Sequence, residues 1–282
     1  MADQPVVDIP EEPAWYVRVL LAPVYVIESI GAWVLSFRDL VEETGRWARI
    51  AAMGTLNVFL PPIRVRLTIG QCEFIGIQSL SIIVLASAFT GAVFTLQTYR
   101  AFALFQAESM VGGTVGVVIT RELGPTLTGL LVTGRAGSAM AAELGSMRVS
   151  EQVDALDAMA VDPINYLVKP RIIASTLMMP LLTVVFDTVG IISSYLLGMY
   201  VLNMSEAEFM IRLKDWVDFD EDILTGVIKA TVFGFIMGTV ACYKGFYTKG
   251  GAKGVGNATT SAVVVSSVSI LIANFFIAWI RP

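Results

Sequence analysis

Residues 120–166 decide the fold of this chain; they read TRELGPTLTGLLVTGRAGSAMAAELGSMRVSEQVDALDAMAVDPINY. The stretch begins inside an apolar segment and ends in a short acidic segment that a proline closes. Arg121, Glu122 and Arg135 stand among residues that favour lipid or close helix packing. Because charges at membrane depth are expensive, we expect these three to face a cavity, a partner or the interior of a helix bundle.

Working outward, small residues recur at four-residue spacing, which places them on one face of a helix and lets another backbone approach closely. Three such strips occur: Gly112/Gly116, Gly137/Ala141/Gly145 and Gly234/Gly238. The pattern leaves two alternatives open, packing within the chain and packing across a dimer.

The acidic end of the stretch predicts a separate helix over 150–160. Ser150 is a suitable N-cap, Glu151 suits the first turn, and Asp162 precedes a proline, which disfavours helical backbone. Helical spacing places apolar residues near one face and acids beside it. The apolar residues are Val153, Leu156, Met159 and Ala160, and the acids are Glu151, Asp154 and Asp157. A solvated loop helix is the alternative to a docking helix.

The composition predicts an all-α integral membrane protein. Hydrophobic residues make up 55% of the 282 residues and charged residues only 15%, whereas soluble domains carry about 25% charge. A membrane-spanning helix needs ~20 apolar residues. Five apolar runs meet this length, at about 74–98, 110–142, 172–202, 223–243 and 257–280. We expect bends at Gly124-Pro125 and at Pro180.

Several chemistries lack the residues that they need. The chain has no histidine, which removes imidazole acid–base catalysis and histidine metal sites. The net charge of −5 argues against nucleic acid as a partner. The glycine-rich piece KGGAKGVG at 249–256 lacks the spacing of a phosphate-binding loop, and we interpret it as a flexible turn. We therefore predict no cofactor, no metal site, no catalytic residue and no ATP hydrolysis by this chain.

The N-terminal region differs from the rest. The acidic, proline-bearing residues 1–14 predict a disordered cytoplasmic tail. Residues 15–37 are apolar but interrupted by Arg18, Pro23 and Glu28, so a helix lying in the interface is favoured over a span. The segment 15–66 then carries a basic excess before the first span: Arg38, Arg46, Arg49, Arg64 and Arg66.

Charge bias predicts the topology. The segment 206–222 holds seven acids against Arg212 and Lys214, which indicates an outside loop. The segment 244–256 holds three lysines and no acid, which indicates an inside loop. With five spans, the N-terminus is then cytoplasmic and the C-terminus lies on the opposite side.

RELGP at 121–125 and GRAGSAMAAELGSMRVSEQVDALDAMAVDP at 134–163 closely resemble the MlaE-type permeases, and weaker resemblance extends from about Thr68 to the C-terminal region. The resemblance implies a permease domain over 67–282 in the inner membrane. It also implies a phospholipid substrate, a cytoplasmic ABC ATPase subunit and a periplasmic MCE-domain protein as partners. The odd span count and the lack of repeats suggest a homodimer.

The resemblance further implies roles for two groups of residues. The 150–160 helix matches the coupling helix that docks on the ATPase, through Glu151, Val153, Asp154, Leu156, Asp157 and Met159. An apolar lipid cavity would be built from the first two spans. Its matching positions are Phe94, Gln97, Tyr99, Ala101, Glu122 and Leu123.

Other interpretations remain open at this point. An ion- or proton-coupled transporter acting alone could use Glu122, Asp187 and Lys229 as relay groups. Asp187 and Lys229 could instead pair with each other, and Glu122 could form an ion pair with other helices rather than line a cavity. A third interpretation, an intramembrane enzyme, is not supported, because the sequence offers no convincing pair of nucleophile and base for one.

Overall fold

The computed structural model describes residue 38 and residues 41–54 and 64–281. The chain divides into two compact units, Met1–Ala48 and Arg49–Pro282. In the first unit, residues 41–48 are helical, and Arg38 Nε lies 3.0 Å from Glu42 Oε1. The predicted tail over 1–14 and the predicted interfacial helix over 15–37 lie outside the described residues. The remaining description concerns the second unit.

Five long apolar helical segments confirm the prediction of an all-α integral membrane protein with five spans. Each is long and apolar enough to cross a membrane, with mean hydropathy between 1.3 and 2.3. The first to fifth spans are Val65–Ala103, Glu108–Val149, Ile164–Tyr200, Phe219–Phe246 and Gly251–Ile280.

The first and second spans are the most segmented of the five. Short 3₁₀ or π-helical turns interrupt them, while the third-span helix continues through Pro180. The first span comprises Val65–Ile75, a 3₁₀ turn Ile77–Ser79 and Leu80–Ala103. The second comprises a 3₁₀ turn Glu108–Met110, Val111–Val118, a π-helical turn Ile119–Leu123, Gly124–Val132, a π-helical turn Thr133–Gly137 and Ser138–Val149.

The later spans have fewer interruptions, and two short helices lie between spans. The third span comprises a π-helical turn Ile164–Val168 and Lys169–Tyr200, the fourth a π-helical turn Phe219–Ile223 and Leu224–Phe246, and the fifth Gly251–Ile280. The connecting helices are Gln152–Ala158 and Glu206–Trp216.

The third span is the centre of the packing, because it contacts both the first span and the fourth along much of their length. Gly91 of the first span meets the backbone of Gly190 of the third so closely that a Cβ would not fit. Ser193 Oγ donates to the carbonyl of Ala88 at 2.6 Å, and Ser194 Oγ donates to that of Gly91 at 3.1 Å. Small and hydroxyl residues therefore hold these two helices together.

The three small-residue strips pack within the chain. Gly137 faces Met237, Gly145 faces Thr248, and Gly234 and Gly238 face Ser175. Among the two alternatives left open by the sequence, intrachain packing accounts for each strip.

The remaining strip receives a helix that the sequence did not predict. Gly112 faces the backbone of Phe209 and Gly116 faces Leu213, so the Glu206–Trp216 helix seats on the second span. The acidic segment 206–222 is therefore a packed helix followed by a π-helical turn, and its prediction as a loop was wrong.

The glycine-rich piece at 249–256 was also misjudged. Gly250 and Gly251 have φ of 91° and 65°, a conformation that glycine adopts at little cost, and the fifth-span helix begins at Gly251. The turn is confined to the residues before Gly251. The rest of the piece forms the beginning of the fifth-span helix, Gly251–Ile280.

Candidate functional site

The RELGP motif forms a π-helical turn at Ile119–Leu123, followed by Gly124-Pro125 at the start of the next helix. Proline has no N–H, so the carbonyl of Arg121, four residues earlier, loses its usual α-helical donor. Lys229 Nζ of the fourth span donates to that carbonyl at 3.2 Å. The lysine thus supplies the hydrogen bond that the proline cannot make.

Lys229 also forms an ion pair with Glu122. Nζ lies 2.6 Å from Glu122 Oε1; the Lys229 side chain is fully buried, while 38% of the Glu122 side chain is exposed. Asn274 Nδ2 of the fifth span donates to Glu122 Oε2 at 3.3 Å. Glu122 therefore faces the fourth and fifth spans. The suggested pairing of Lys229 with Asp187 is wrong, because Glu122 takes the lysine and Asp187 Oδ1 is buried against Gly124 with no hydrogen-bond partner among the described residues.

Arg121 and Arg135 also have partners within the chain. Arg121 Nη1 lies 3.7 Å from Asp222 Oδ1, at the start of the fourth span. Arg135 Nη1 donates to the carbonyl of Phe74 at 2.6 Å and to Ser79 Oγ at 2.8 Å, where the first-span helix is interrupted. These charges lie where helices are broken, and they satisfy groups that the regular helix leaves free.

An open apolar cavity of about 400 Å³ lies between the first span and the RELGP turn. Its walls are almost entirely hydrocarbon, with two polar side chains, which suits acyl chains better than a polar solute. The lining residues are Phe89, Thr90, Val93, Phe94, Gln97 and Leu123. Four of them follow the i, i+3, i+4, i+7 spacing of one helix face.

Three of the six predicted lipid-binding residues meet at this cavity, namely Phe94, Gln97 and Leu123. Tyr99 instead lines a smaller pocket of about 210 Å³ beside Glu108 and Glu208. Ala101 is exposed further along the first span, and Glu122 binds Lys229.

The prediction missed three cavity residues, Phe89, Thr90 and Val93. The signal that could have found Thr90 and Val93 is their helical spacing from Phe94 and Gln97.

The predicted 150–160 helix forms, but it is shorter and begins differently. Its helical residues are Gln152–Ala158, and Glu151 precedes them with a left-handed φ of 59° and no side-chain capping bond. Ser150 Oγ donates backwards to the carbonyl of Ser146 at 2.8 Å. The predicted Ser150 cap is therefore wrong, because the serine closes the preceding helix instead.

The predicted docking residues of the Gln152–Ala158 helix differ in how far they are exposed. Val153 is fully buried within the chain, Leu156 is partly buried, and Met159 is 64% exposed. Arg148 Nη1 lies 2.5 Å from Asp154 Oδ1, which ties the helix to the end of the second span. Glu151 and Asp157 are exposed. Val153 thus anchors the helix, and among the predicted docking residues a partner could reach Leu156, Met159 and the acids.

Comparison with known families decides the identity of this architecture. The family model described as Permease MlaE matches residues 68–280, which include nearly all of the five spans. The chain belongs to the MlaE permease family.

Curated proteins agree with this assignment. A probable ABC transporter permease protein of Rickettsia typhi is 43% identical over 248 residues, 88% of this chain and 94% of that protein. The intermembrane phospholipid transport system permease protein MlaE of Haemophilus influenzae is 35% identical over 253 residues, covering 89% and 95%. The chloroplastic protein TRIGALACTOSYLDIACYLGLYCEROL 1 of Arabidopsis thaliana is 44% identical over 230 residues, covering 80% and 64%.

The MlaE match contains both the apolar cavity and the Gln152–Ala158 helix. It also contains the RELGP turn with its Lys229 ion pair. The resemblance inferred from RELGP and the 134–163 stretch is therefore confirmed, and the chain is a multi-pass membrane permease.

Proposed function

We propose that this chain is the permease subunit of an ABC transporter that moves phospholipids between the inner membrane and a conduit built by an MCE-domain protein. The observation that carries the proposal is the apolar cavity at Phe94, Gln97 and Leu123 in a chain of the MlaE permease family. Two relatives with ABC transporter permease or phospholipid transport in their names support it.

ATP hydrolysis is assigned to a separate cytoplasmic ATPase, which docks on the Gln152–Ala158 helix. The exposed Met159 and the part-buried Leu156 supply apolar contact, while Glu151, Asp154 and Asp157 set orientation. Val153 acts indirectly by holding the helix in place.

The permease acts as a homodimer, in which the cavity is completed between two copies. The small-residue strips are occupied within the chain, so the dimer contact uses other surfaces. The fifth span has few buried residues in the isolated chain, which leaves its surface free for lipid or for a second copy.

In the proposed topology, the Gln152–Ala158 helix and the turn before Gly251 face the cytoplasm, and the Glu206–Trp216 helix faces the periplasm. The N-terminus is cytoplasmic and the C-terminus periplasmic. Residues 1–14 form a tail, 15–66 an interfacial and basic segment, and 67–282 the permease domain.

The ion-coupled alternative is less well supported. Of its three suggested relay groups, Glu122 and Lys229 neutralise each other at 2.6 Å. Asp187 alone would have to carry the ion, and its Oδ1 atom is buried against the backbone at Gly124.

The test is photocrosslinking of the reconstituted transporter. A photoreactive residue at Phe94 or Leu123 should capture phospholipid in amounts that change when the co-purifying ATPase turns over ATP. Leu85 of the first span is 62% exposed and serves as a control for ordinary bilayer contact, which should not respond to ATP. If Phe94, Leu123 and Leu85 capture lipid equally in every state, the cavity is not the transport site.

A substitution provides the second arm. Leu123→Arg places an unpaired charge in the cavity, which costs several kcal/mol when an apolar ligand must displace its water. Transport should stop while the protein still purifies as the same assembly. Leu123→Met is the matched control, and it should keep transport because the volume and polarity are conserved.

A further inference from the structure

A third pocket, separate from the Phe94 cavity and the Tyr99 pocket, lies where the beginnings of the first and third spans meet the end of the second. Its volume is about 160 Å³. A single water needs only ~10–15 Å³ of such space. The pocket is lined by Leu67, Gln71, Glu143, Met147, Tyr166, Leu167, Pro170 and Arg171.

Arg171 is the decisive residue of this pocket. It is 4% exposed; Nη1 donates to the carbonyl of Leu167 at 2.7 Å and Nη2 lies 2.7 Å from Glu143 Oε2. The third nitrogen of the guanidinium, Nε, is buried and has no partner among the described residues. A buried donor left unsatisfied costs about 1–3 kcal/mol, and a charged one more, so this N–H calls for an acceptor.

Gln71 has a buried acceptor without a donor among the described residues, which complements the buried donor of Arg171. Gln71 lines the same pocket, and its buried Oε1 atom receives no hydrogen bond from the part of the chain that the structure describes. The pocket lining thus includes one guanidinium N–H and one amide oxygen that lack partners in the described structure and do not bond each other. A ligand that satisfies both must offer an acceptor to Arg171 and an N–H or O–H donor to Gln71.

The charge around the pocket favours an anionic group near Arg171. The Arg64 guanidinium carbon lies 4.3 Å from the ring centroid of Tyr166, which lines the pocket, so a second cation stands beside it. The acid in the lining is Glu143, and it already binds Arg171 Nη2. Guanidinium groups match phosphate oxygens well in both shape and charge.

Two of the side chains that line the pocket are exposed at the protein surface. Leu67 is 37% exposed and the Glu143 side chain 53% exposed, so an apolar edge and a polar edge meet at its mouth. A head group could enter here while its acyl chains stay in the bilayer.

We propose that this pocket binds the head group of an aminophospholipid, with the phosphate on Arg171 Nε and the ammonium on Gln71 Oε1. It is a site separate from the Phe94 cavity, and only its assignment to the cytoplasmic leaflet rests on the proposed topology. A bound lipid would join the ends of the second and third spans that flank the Gln152–Ala158 helix.

The test compares lipids that differ in a single property. The full chain, in its native assembly, is reconstituted in nanodiscs with equal amounts of phosphatidylethanolamine and phosphatidylcholine, whose trimethylated ammonium has no N–H. Native mass spectrometry should show selective retention of phosphatidylethanolamine. Gln71→Leu should remove that selectivity, and Met147→Trp, which fills the pocket, should lower the number of retained lipids.

Separate variants distinguish this site from the transport cavity. Leu123→Arg should lose cavity lipid but keep the selectivity for phosphatidylethanolamine. If the selectivity is lost in Leu123→Arg and unchanged in both Gln71→Leu and Met147→Trp, the pocket proposal is overturned while the cavity stands. Having two pocket variants keeps the test decisive if one of them fails to fold.

A free anion is the other source of the same chemistry. Inorganic phosphate added to the delipidated protein should bind weakly and should not displace retained phosphatidylethanolamine. Displacement by phosphate, or equal retention of the two lipids by the parent protein, contradicts an aminophospholipid site.

Discussion

Lys229 Nζ lies 2.6 Å from Glu122 Oε1, and the same ammonium bonds the carbonyl that precedes Glu122. One buried side chain of the fourth span therefore serves both the acid and the freed backbone of the RELGP turn. Glu122 is consequently a structural partner, which leaves its neighbour Leu123 as the residue that meets the apolar cavity.

The ion pair predicts an asymmetric response to substitution. Glu122→Leu strands a fully buried ammonium and should lower the free energy of unfolding by about 3–5 kcal/mol. Lys229→Met strands a carboxylate that is 38% exposed, so its loss should be smaller. The double variant should recover most of the stability, because an apolar pair of similar volume replaces a buried ion pair at little cost. Denaturant unfolding in mixed micelles measures all three, and equal losses in the two single variants would contradict the burial argument.

A glycine contact predicts the attachment of the Glu206–Trp216 helix. A Cβ at Gly112 would collide with the Phe209 backbone, so Gly112→Ala should destabilise the protein by about 1–3 kcal/mol and expose this helix to protease. Gly134→Ala is the control in the same span, because no described atom beyond the neighbouring backbone of its own helix lies within 4 Å of its Cβ position. It should be neutral or stabilising by up to about 1 kcal/mol. Similar protease patterns in the two variants would show that the helix does not depend on this contact.

Coupling to the ATPase is predicted to depend on Met159 and Leu156. Met159→Asp changes an exposed residue, so it should weaken ATPase association in a pull-down without altering membrane insertion or thermal stability. Leu156→Asp should do the same with some loss of stability, since Leu156 is partly buried. Val153→Asp should instead destabilise the permease itself. Normal ATPase binding and transport by both Met159→Asp and Leu156→Asp would mean that the helix is a solvated connection.

The contribution of charge to coupling has its own test. Asp154→Lys removes the partner of Arg148 and places two cations together. ATPase association should weaken less than in Met159→Asp, and the defect should shrink at high salt because exposed charges are screened beyond ~10 Å at 0.1 M. A defect that does not vary with salt would assign Asp154 a packing role.

Topology is tested by cysteine labelling from each side of sealed vesicles. The background needs Cys72→Ala and Cys242→Ala, since both native cysteines are free thiols. Lys249→Cys should react only from the cytoplasmic side and Glu221→Cys only from the opposite side; both positions are exposed. Labelling of both positions from one side would mean that the fourth span does not cross the membrane, and an exchange of the two sides would mean that the topology is reversed.

The spans were predictable because an apolar run of ~20 residues matches the thickness of the bilayer core and is typical of a membrane helix. The helices nevertheless extend past the apolar runs, as at Val65–Ile75, because backbone hydrogen bonding continues where hydropathy falls. The Glu206–Trp216 helix escaped prediction for a different reason. Its acids dominate the composition, while the residues that receive it lie nearly a hundred positions earlier, at Gly112 and Gly116.

The site was predicted in part, and helix geometry explains the division. Phe94 and Gln97 are three residues apart and share a face with the cavity, whereas Tyr99, two residues after Gln97, points away from Gln97 and lines a different pocket. The partner of Lys229 could not be read from the chain, because Glu122 and Asp187 are both acids within other apolar spans. Which acid pairs with Lys229 depends on which helix packs against the RELGP turn, and this packing is a property of the tertiary structure.

The anchoring of the Gln152–Ala158 helix has a mechanical consequence. On its N-terminal side, the buried Val153 and the Arg148–Asp154 ion pair bind the helix to the second span. On its C-terminal side, Ala160 has a left-handed φ of 56°, and the next helical residues begin only at Ile164. The connection to Ile164 is nevertheless held by hydrogen bonds, because Val161 N–H donates to the Leu156 carbonyl and Ile164 N–H donates to Asp162 Oδ1. A push applied at Met159 would therefore reach the third span as well as the second span and its RELGP turn.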